Sequence, residues 1–219
     1  MISVIIPTLN AERLLPRCFD SLIAAAVRGV VREVIVSDAG SSDGTLEIAD
    51  GAGAHIVHAS KGRGAQLIEG AAIAKGDWLL FLHPETSLEP GWEVEAESFI
   101  NQALMERPRA AVFRFALDDF GGEARRAEAK ANLRASLFAL PYGDQGLLIP
   151  KRLYQKTGGY RALADMEDAD LVRRIGRRRL VGLRARAVNV ARPHKSAWRG
   201  LALILLHALR VPSGVLAKL

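Results

Sequence analysis

The chain has 219 residues, enough for one sizeable core, and its 49% hydrophobic and 25% charged composition excludes a disordered or collagenous chain. Lysine and arginine number 30 against 24 aspartates and glutamates, giving a formal charge of +6 and a pI near 9.8, which admits anionic partners without choosing among them. A single cysteine, Cys18, excludes an intrachain disulfide and a cysteine-rich metal site and points to a reducing compartment.

In chain order, Met1 to Ile6 lacks the basic flank and cleavage site of a signal peptide and predicts a first strand over Ser3 to Ile6, ended by Pro7. Thr8 to Glu12 is a polar turn. Leu14, Leu15, Phe19, Leu22, Ile23 and Ala26 then recur at helical spacing, with Pro16 near the first turn and Cys18 on the apolar face. Val34 to Ser37 predicts a second strand. It runs into Asp38-Ala39-Gly40-Ser41-Ser42-Asp43-Gly44-Thr45, a loop by composition, followed by a short helix over Thr45 to Asp50 with Asp43 as its cap. His55 to His58 is a third strand, and Lys61-Gly62-Arg63-Gly64 opens a helix that reaches Ala74 before Gly76 ends it.

The run Leu79 to Leu82 breaks abruptly into His83-Pro84-Glu85-Thr86. Consecutive apolar residues suit a strand covered on both faces, and polar side chains beyond its carboxyl end stand where open α/β sheets bind ligands. Strand and helix alternate up to this point, which predicts a parallel sheet. Pro90 begins a helix carrying Trp92, Phe99, Ile100 and Leu104, Ala110 to Leu117 is a further strand, and Gly122 to Leu140 is an amphipathic helix. Glu167, Asp168 and Asp170 open a helix that continues to Arg177, and arginines from Arg173 to Arg192 crowd the last quarter. The apolar run Leu201 to Val211 is too short for the roughly 20 residues that a hydrocarbon core requires. No internal repeat or low-complexity tract divides the chain.

Several side chains admit two readings. Asp38 is either a turn former or a ligand at a strand end. Lys61-Gly62-Arg63-Gly64 offers glycines, two cations and a helix dipole to a phosphate, or is a solvated loop. Glu167 and Asp168 are either an acidic first helical turn or a catalytic pair. A Rossmann dehydrogenase is disfavoured, because its glycine fingerprint belongs after the first strand, where Pro7-Thr8-Leu9-Asn10 stands.

Four ordered segments carry a family resemblance: Val4 to Glu12, Val34 to Thr45, Gly76 to Thr86, and the pair Gly143-Asp144-Gln145-Gly146 with Met166-Glu167-Asp168. The sequence resembles a family 2 glycosyltransferase of the GT-A fold, an α/β, Rossmann-like, mostly parallel central sheet flanked by helices, and most resembles a bacterial subgroup with histidine first in the metal motif. The resemblance implies one domain over 1–219, with a nucleotide-sugar half at 1–117, an acceptor half at 118–197 and a carboxyl-terminal amphipathic helix at 198–219. It implies Pro7, Thr8 and Glu12 around the nucleoside, Asp38 on the base, Lys61, Gly62, Arg63 and His83 near the diphosphate, and Asp144 and Gln145 on the acceptor side. Asp168, with Glu167 beside it, would be the general base of an inverting transfer.

The departure lies at His83-Pro84-Glu85, where the family has Asp-x-Asp. Two aspartates hold a hard divalent ion; here one oxygen has become imidazole and the other has a longer arm. Glu85, His83 and, by resemblance, His194 would form a site for manganese or magnesium. The expected activity is transfer of a sugar from a nucleoside diphosphate to an unidentified acceptor by a cytoplasmic protein, peripheral on the inner membrane face if its tail binds lipid. The tail also suits a homo-oligomer contact. The alternatives are a sugar-nucleotide-binding relative whose catalysis has lapsed, or a basic adaptor for a membrane surface or nucleic acid; the glycosyltransferase reading itself has no nucleic-acid partner.

Overall fold

Apolar runs at the start of the chain become buried strands, and the amphipathic and polar segments between them become helices and turns. The computed structural model describes residues 1–105, 107–119, 121–138, 143–163 and 166–190. The first half contains β1 (Ile2–Thr8), α1 (Leu15–Asp20), α2 (Ile23–Val27), β2 (Val31–Asp38), α3 (Thr45–Gly51), β3 (His55–His58), α4 (Arg63–Ile73) and β4 (Trp78–Phe81). The second contains β5 (Thr86–Leu88), α5 (Trp92–Met105), β6 (Ala110–Leu117), α6 (Gly122–Phe138), β7 (Leu147–Pro150), α7 (Lys151–Lys156), α8 (Glu167–Ile175) and β8 (Leu180–Asn189), with short 3-10 turns at Gly143–Gln145 and Arg177–Arg179.

These strands form one eight-stranded sheet in the order β3-β2-β1-β4-β7-β6-β8-β5. The first four run parallel, so the ends of β1, β2 and β4 and the loops after them lie along one edge. Beyond β4 the sheet is mixed: β7 is antiparallel to β4 and β6, β8 is parallel to β6, and β5 is antiparallel to β8. Side chains alternate across the sheet into two apolar layers. Val4, Ile6, Leu80 and Leu82 pack with Trp92 and Phe113 on one face, and Ile5, Ile35, Leu79 and Phe81 pack with Leu67, Tyr154 and Tyr160 on the other.

Four local expectations change. Pro7 lies inside β1 instead of ending it, opposite Ser37 of β2. Ile5 faces β4, its carbonyl accepting from the Leu82 amide at 3.0 Å, and Pro7 turns to the same side, where β4 has already ended at Phe81. Its missing N–H therefore costs the ladder nothing. The helix expected from Leu14 to Ala26 is two helices, because the Ser21 carbonyl accepts from the Trp92 indole at 2.9 Å rather than from the amide one turn on. The helix opened by Glu167 stops at Ile175, where Gly176 takes φ 85°. The short β5 and β7 and the ten-residue β8 were not expected as strands.

Among the described residues no helix is long and apolar enough to cross a membrane. Arg192, His194, Trp198 and the run Leu201 to Val211, with the amphipathic helix expected there, lie outside the described residues.

Candidate active site

The carboxyl ends of β1 and β2 are tied together before any ligand enters. Asp38, at the end of β2, is 1% exposed, and its carboxylate accepts from Thr8 Oγ1 (2.9 Å), the Gly40 amide (2.9 Å), the Ser41 amide (2.8 Å) and the Ser41 hydroxyl. Burial pushes its carboxyl up, but the bonds from Ser41, Thr8 and Gly40 outweigh burial and hold it below the ordinary aspartate range. Four donors fill the roughly four acceptor positions of a carboxylate. The turn-forming part of the Asp38 expectation is therefore seen directly, and a base amide could bind this carboxylate only by displacing a hydroxyl.

The neighbouring loops are anchored in the same way. Glu12 is exposed; its carboxylate accepts from the Gly44 amide at 3.1 Å, and its own amide donates to Asp43. Asp43 also accepts from the Thr45 amide at 3.1 Å, but the residue at the cap position of α3 is Gly44, so Asp43 stands one residue before the place expected of it. Gln66 on α4, which sequence reasoning missed, donates to the carbonyls of Thr8 (2.7 Å) and Ser37 (2.8 Å) and fixes the splay of β1 and β2. Cys18 is buried against the His83 carbonyl, its thiol pushed up to about 12 by burial and by Glu85, so it stays a protonated core residue.

Across the edge, the start of α4 approaches the first residue of α8 and the loop before it. Lys61 and Arg63 are exposed at the start of α4, and Gly62 there takes φ 113°. Arg63 Nε lies 3.3 Å from Glu167, whose side chain is 2% exposed. A Cβ on Gly64 would stand 2.3 Å from the Arg161 carbonyl oxygen, so only glycine permits this approach. Glu167, Asp168 and Asp170 form the acidic first turn expected of α8, and each carboxylate also has its own partner. Asp170 is fully buried, paired with Arg174 at 2.7 Å and near Arg161 and Arg173; Asp168 accepts from the Tyr160 hydroxyl at 2.8 Å. The Tyr160 ring stands edge-on to Phe81, the last residue of β4, with centroids 4.9 Å apart. That contact brings Asp168 toward the loop of His83 and Glu85.

His83 Nδ1 lies 3.9 Å from Glu85 Oε1. Ligands about 2.1 Å from one octahedral ion stand about 3.0 Å apart when adjacent and about 4.2 Å apart when opposite, so the pair would have to shift to hold one ion together. Among the described residues no three His, Cys, Asp or Glu side chains gather at one point, so further ligands must be diphosphate oxygens or groups elsewhere. The loop after Glu85 is pinned by the end of β8: Thr86 donates to Asn189 at 2.7 Å, Asn189 donates to the Asp144 carbonyl at 2.7 Å, and the Val190 amide donates to the Glu85 carbonyl at 3.3 Å. Gln145, expected on the acceptor side, is 2% exposed and donates to the Phe113 carbonyl of β6, so its amide braces the framework. Asn189 and Tyr160 were also missed. The signal for Tyr160 was the preceding Gly158-Gly159, both left-handed at φ 81° and 60°.

A Rossmann-like half whose strand ends carry Thr8, Asp38 and the His83 loop, closed by a carboxylate-bearing helix start, defines a GT-A nucleotide-binding domain. The profile of glycosyl transferase family 2 matches residues 3–118, and the chain belongs to that family. A PGL/p-HBAD biosynthesis glycosyltransferase of Mycobacterium bovis is 40% identical over 95 residues, which cover 40% of this chain and 36% of that protein; a Mycobacterium tuberculosis protein of the same description matches equally. The chain thus aligns with little more than a third of the length of those relatives. Among solved structures, S. aureus TarS in complex with UDP-GlcNAc superposes with TM-score 0.66 and 17% identity, over 94% of this chain and 66% of that one. Glucosyl-3-phosphoglycerate synthase from M. tuberculosis, in complex with Mn2+, UDP and glucosyl-3-phosphoglycerate, superposes with TM-score 0.63 and 22% identity, over 97% and 81%. At these identities the likeness is one of fold.

Proposed function

We propose that the protein transfers a sugar from a nucleoside diphosphate sugar to an acceptor hydroxyl with inversion, and that Asp168 is the general base. The observation that supports this most is a buried aspartate at the start of α8, joined through Tyr160 and Phe81 to the end of β4. The nucleoside would rest on Pro7, Thr8, Glu12 and Asp38, and its diphosphate beside Lys61, Gly62, Arg63 and His83. Uridine is the proposed nucleoside, because structures of the same fold carry UDP and UDP-GlcNAc. The acceptor would approach from the side of Asp144 and Gln145.

In the transfer, the acceptor oxygen attacks the anomeric carbon, its proton passes to Asp168, and the bond from that carbon to the diphosphate breaks with its electrons on the leaving oxygen. A manganese or magnesium ion held by His83, Glu85 and, on this reading, His194 would supply positive charge to the departing diphosphate. Lys61 and Arg63 add cations to the same end. We extend the proposal to the division at residue 117 between donor and acceptor halves, and to a cytoplasmic protein whose tail meets the membrane surface or a second copy.

The test is a thermal-shift panel of nucleoside diphosphates with manganese, followed by release or transfer of labelled sugar from the nucleotide that stabilises. Stabilisation by UDP with turnover supports the proposal. Stabilisation without turnover on any acceptor or water supports the lapsed relative instead. Steep salt-dependent DNA binding without nucleotide stabilisation would favour the adaptor.

A further inference from the structure

We propose that Tyr160 is a positioning residue for this transfer, holding Asp168 by Oδ1 so that Oδ2 is the oxygen that takes the acceptor's proton. The inference rests on the reading of Asp168 as the base. Both residues are buried, Tyr160 at 4% and Asp168 at 8% exposure, and the hydroxyl donates to Oδ1 at 2.8 Å. A carboxylate has two oxygens that a rotation exchanges; a donor fixed on one distinguishes them and sets the plane of the other.

The phenol is itself held on three sides. Its ring meets Phe81 edge-on, and its backbone amide donates to the Tyr154 hydroxyl at 3.1 Å. The Tyr154 ring packs on Phe81 at 5.4 Å, closing a trio of aromatic rings. The chain reaches this trio through Gly159 at φ 60°, where an added Cβ would stand 2.9 Å from the Tyr154 ring. No part of the arrangement can swing without displacing the end of β4, so the base keeps a fixed relation to the His83 loop.

The charged and titratable groups nearest this pair are Glu167 with its partner Arg63, Tyr154, and Asp170 with Arg161, Arg173 and Arg174. Burial and the adjacent Asp168 push the Tyr160 hydroxyl well above its ordinary range, so it remains a protonated donor through the working pH. Tyr160 therefore keeps its proton throughout. The proton of the acceptor moves to Oδ2 while the new bond forms and the bond to the diphosphate breaks.

The test is Tyr160→Phe, which keeps the ring and removes only the hydroxyl. Losing a hydrogen bond to a charged group corresponds to a fall in kcat of roughly tenfold to a hundredfold. The donor KM should stay at the parental value, and the acid limb of the kcat profile should move to higher pH, because the ionised carboxylate has lost a donor. A purely structural tyrosine would lower the melting temperature and leave that limb in place. Should Tyr160→Phe fail to fold, a fluorotyrosine at position 160, a stronger donor, should move the limb to lower pH. A parental profile in either variant, alongside an inactive Asp168→Asn, overturns the positioning role and leaves the base standing. An active Asp168→Asn overturns the base itself.

Discussion

Two buried aspartates at the same edge of the sheet are held in opposite ways. Asp38 is filled by four donors from Thr8, Gly40 and Ser41, whereas among the described residues Asp168 is held by one donor, Tyr160, at one oxygen. A carboxylate with every lone pair engaged fastens the turn it closes, and would serve a nucleoside chiefly by holding that turn in place. A carboxylate held at one oxygen is placed without being used up. Burial and negative charge alone do not separate the two; the number of donors on each does.

The largest test of this difference replaces both by asparagine. Asp168→Asn should lower turnover by at least about a hundredfold, since an amide cannot accept the proton, with nucleotide affinity near parental by calorimetry. Asp38→Asn should cost little in turnover, because the Thr8 and Ser41 hydroxyls can rotate to accept from the new amide. Parental turnover in the first variant would erase the distinction.

Asp38→Ala goes further and strands the two amides of Gly40 and Ser41 together with the hydroxyls. It should lose about 1–3 kcal/mol in denaturant unfolding, and nucleotide affinity with it. The pH dependence has a definite sign. The folded carboxyl of Asp38 lies below its unfolded value of about 3.9, so its stabilisation is full above that pH and is lost as pH falls through the folded value. Asp38→Asn should flatten the loss of stability below about pH 4. An unchanged acid transition would show that other carboxylates dominate it.

The smallest expected effect concerns the loop of His83 and Glu85. Glu85→Gln keeps an oxygen but removes its charge, so manganese-dependent binding of nucleoside diphosphate should weaken, with manganese favoured over magnesium because His83 offers nitrogen. Binding that is indifferent to chelator and to Glu85→Gln would shift the neutralising role to Lys61 and Arg63.

Much of the fold was legible because the signals were local. Consecutive apolar residues marked β1, β2 and β4, and the Asp38 to Thr45 composition marked its loop. The rest depended on residues distant in sequence. Trp92 divides α1 from α2 by taking the Ser21 carbonyl, and nothing near Ser21 announces it. Strands β7 and β8 are defined by pairing with β4 and β6 more than by their own pattern, and β8 mixes Arg184 and Arg186 into its run. At the site, residue types were readable but partners were not. Asp38 and Asp168 look alike as letters, and Gln145 stands beside a motif yet turns to β6. The distinction lies in Thr8 and Ser41 on one side and Tyr160 on the other.

The approach of the start of α4 to Arg161 and Glu167 has a kinetic consequence. With Gly64 pressed on the Arg161 carbonyl and Arg63 reaching Glu167, the loop that would receive the diphosphate and the segment that leads to the proposed base share one wall. A donor that shifts Lys61 to Gly64 must shift the approach to α8 as well. Ordered addition is the expected pattern, with the sugar nucleotide entering first and the acceptor competing only for the donor-loaded form. Dead-end inhibition by an acceptor analogue should then be uncompetitive against the donor.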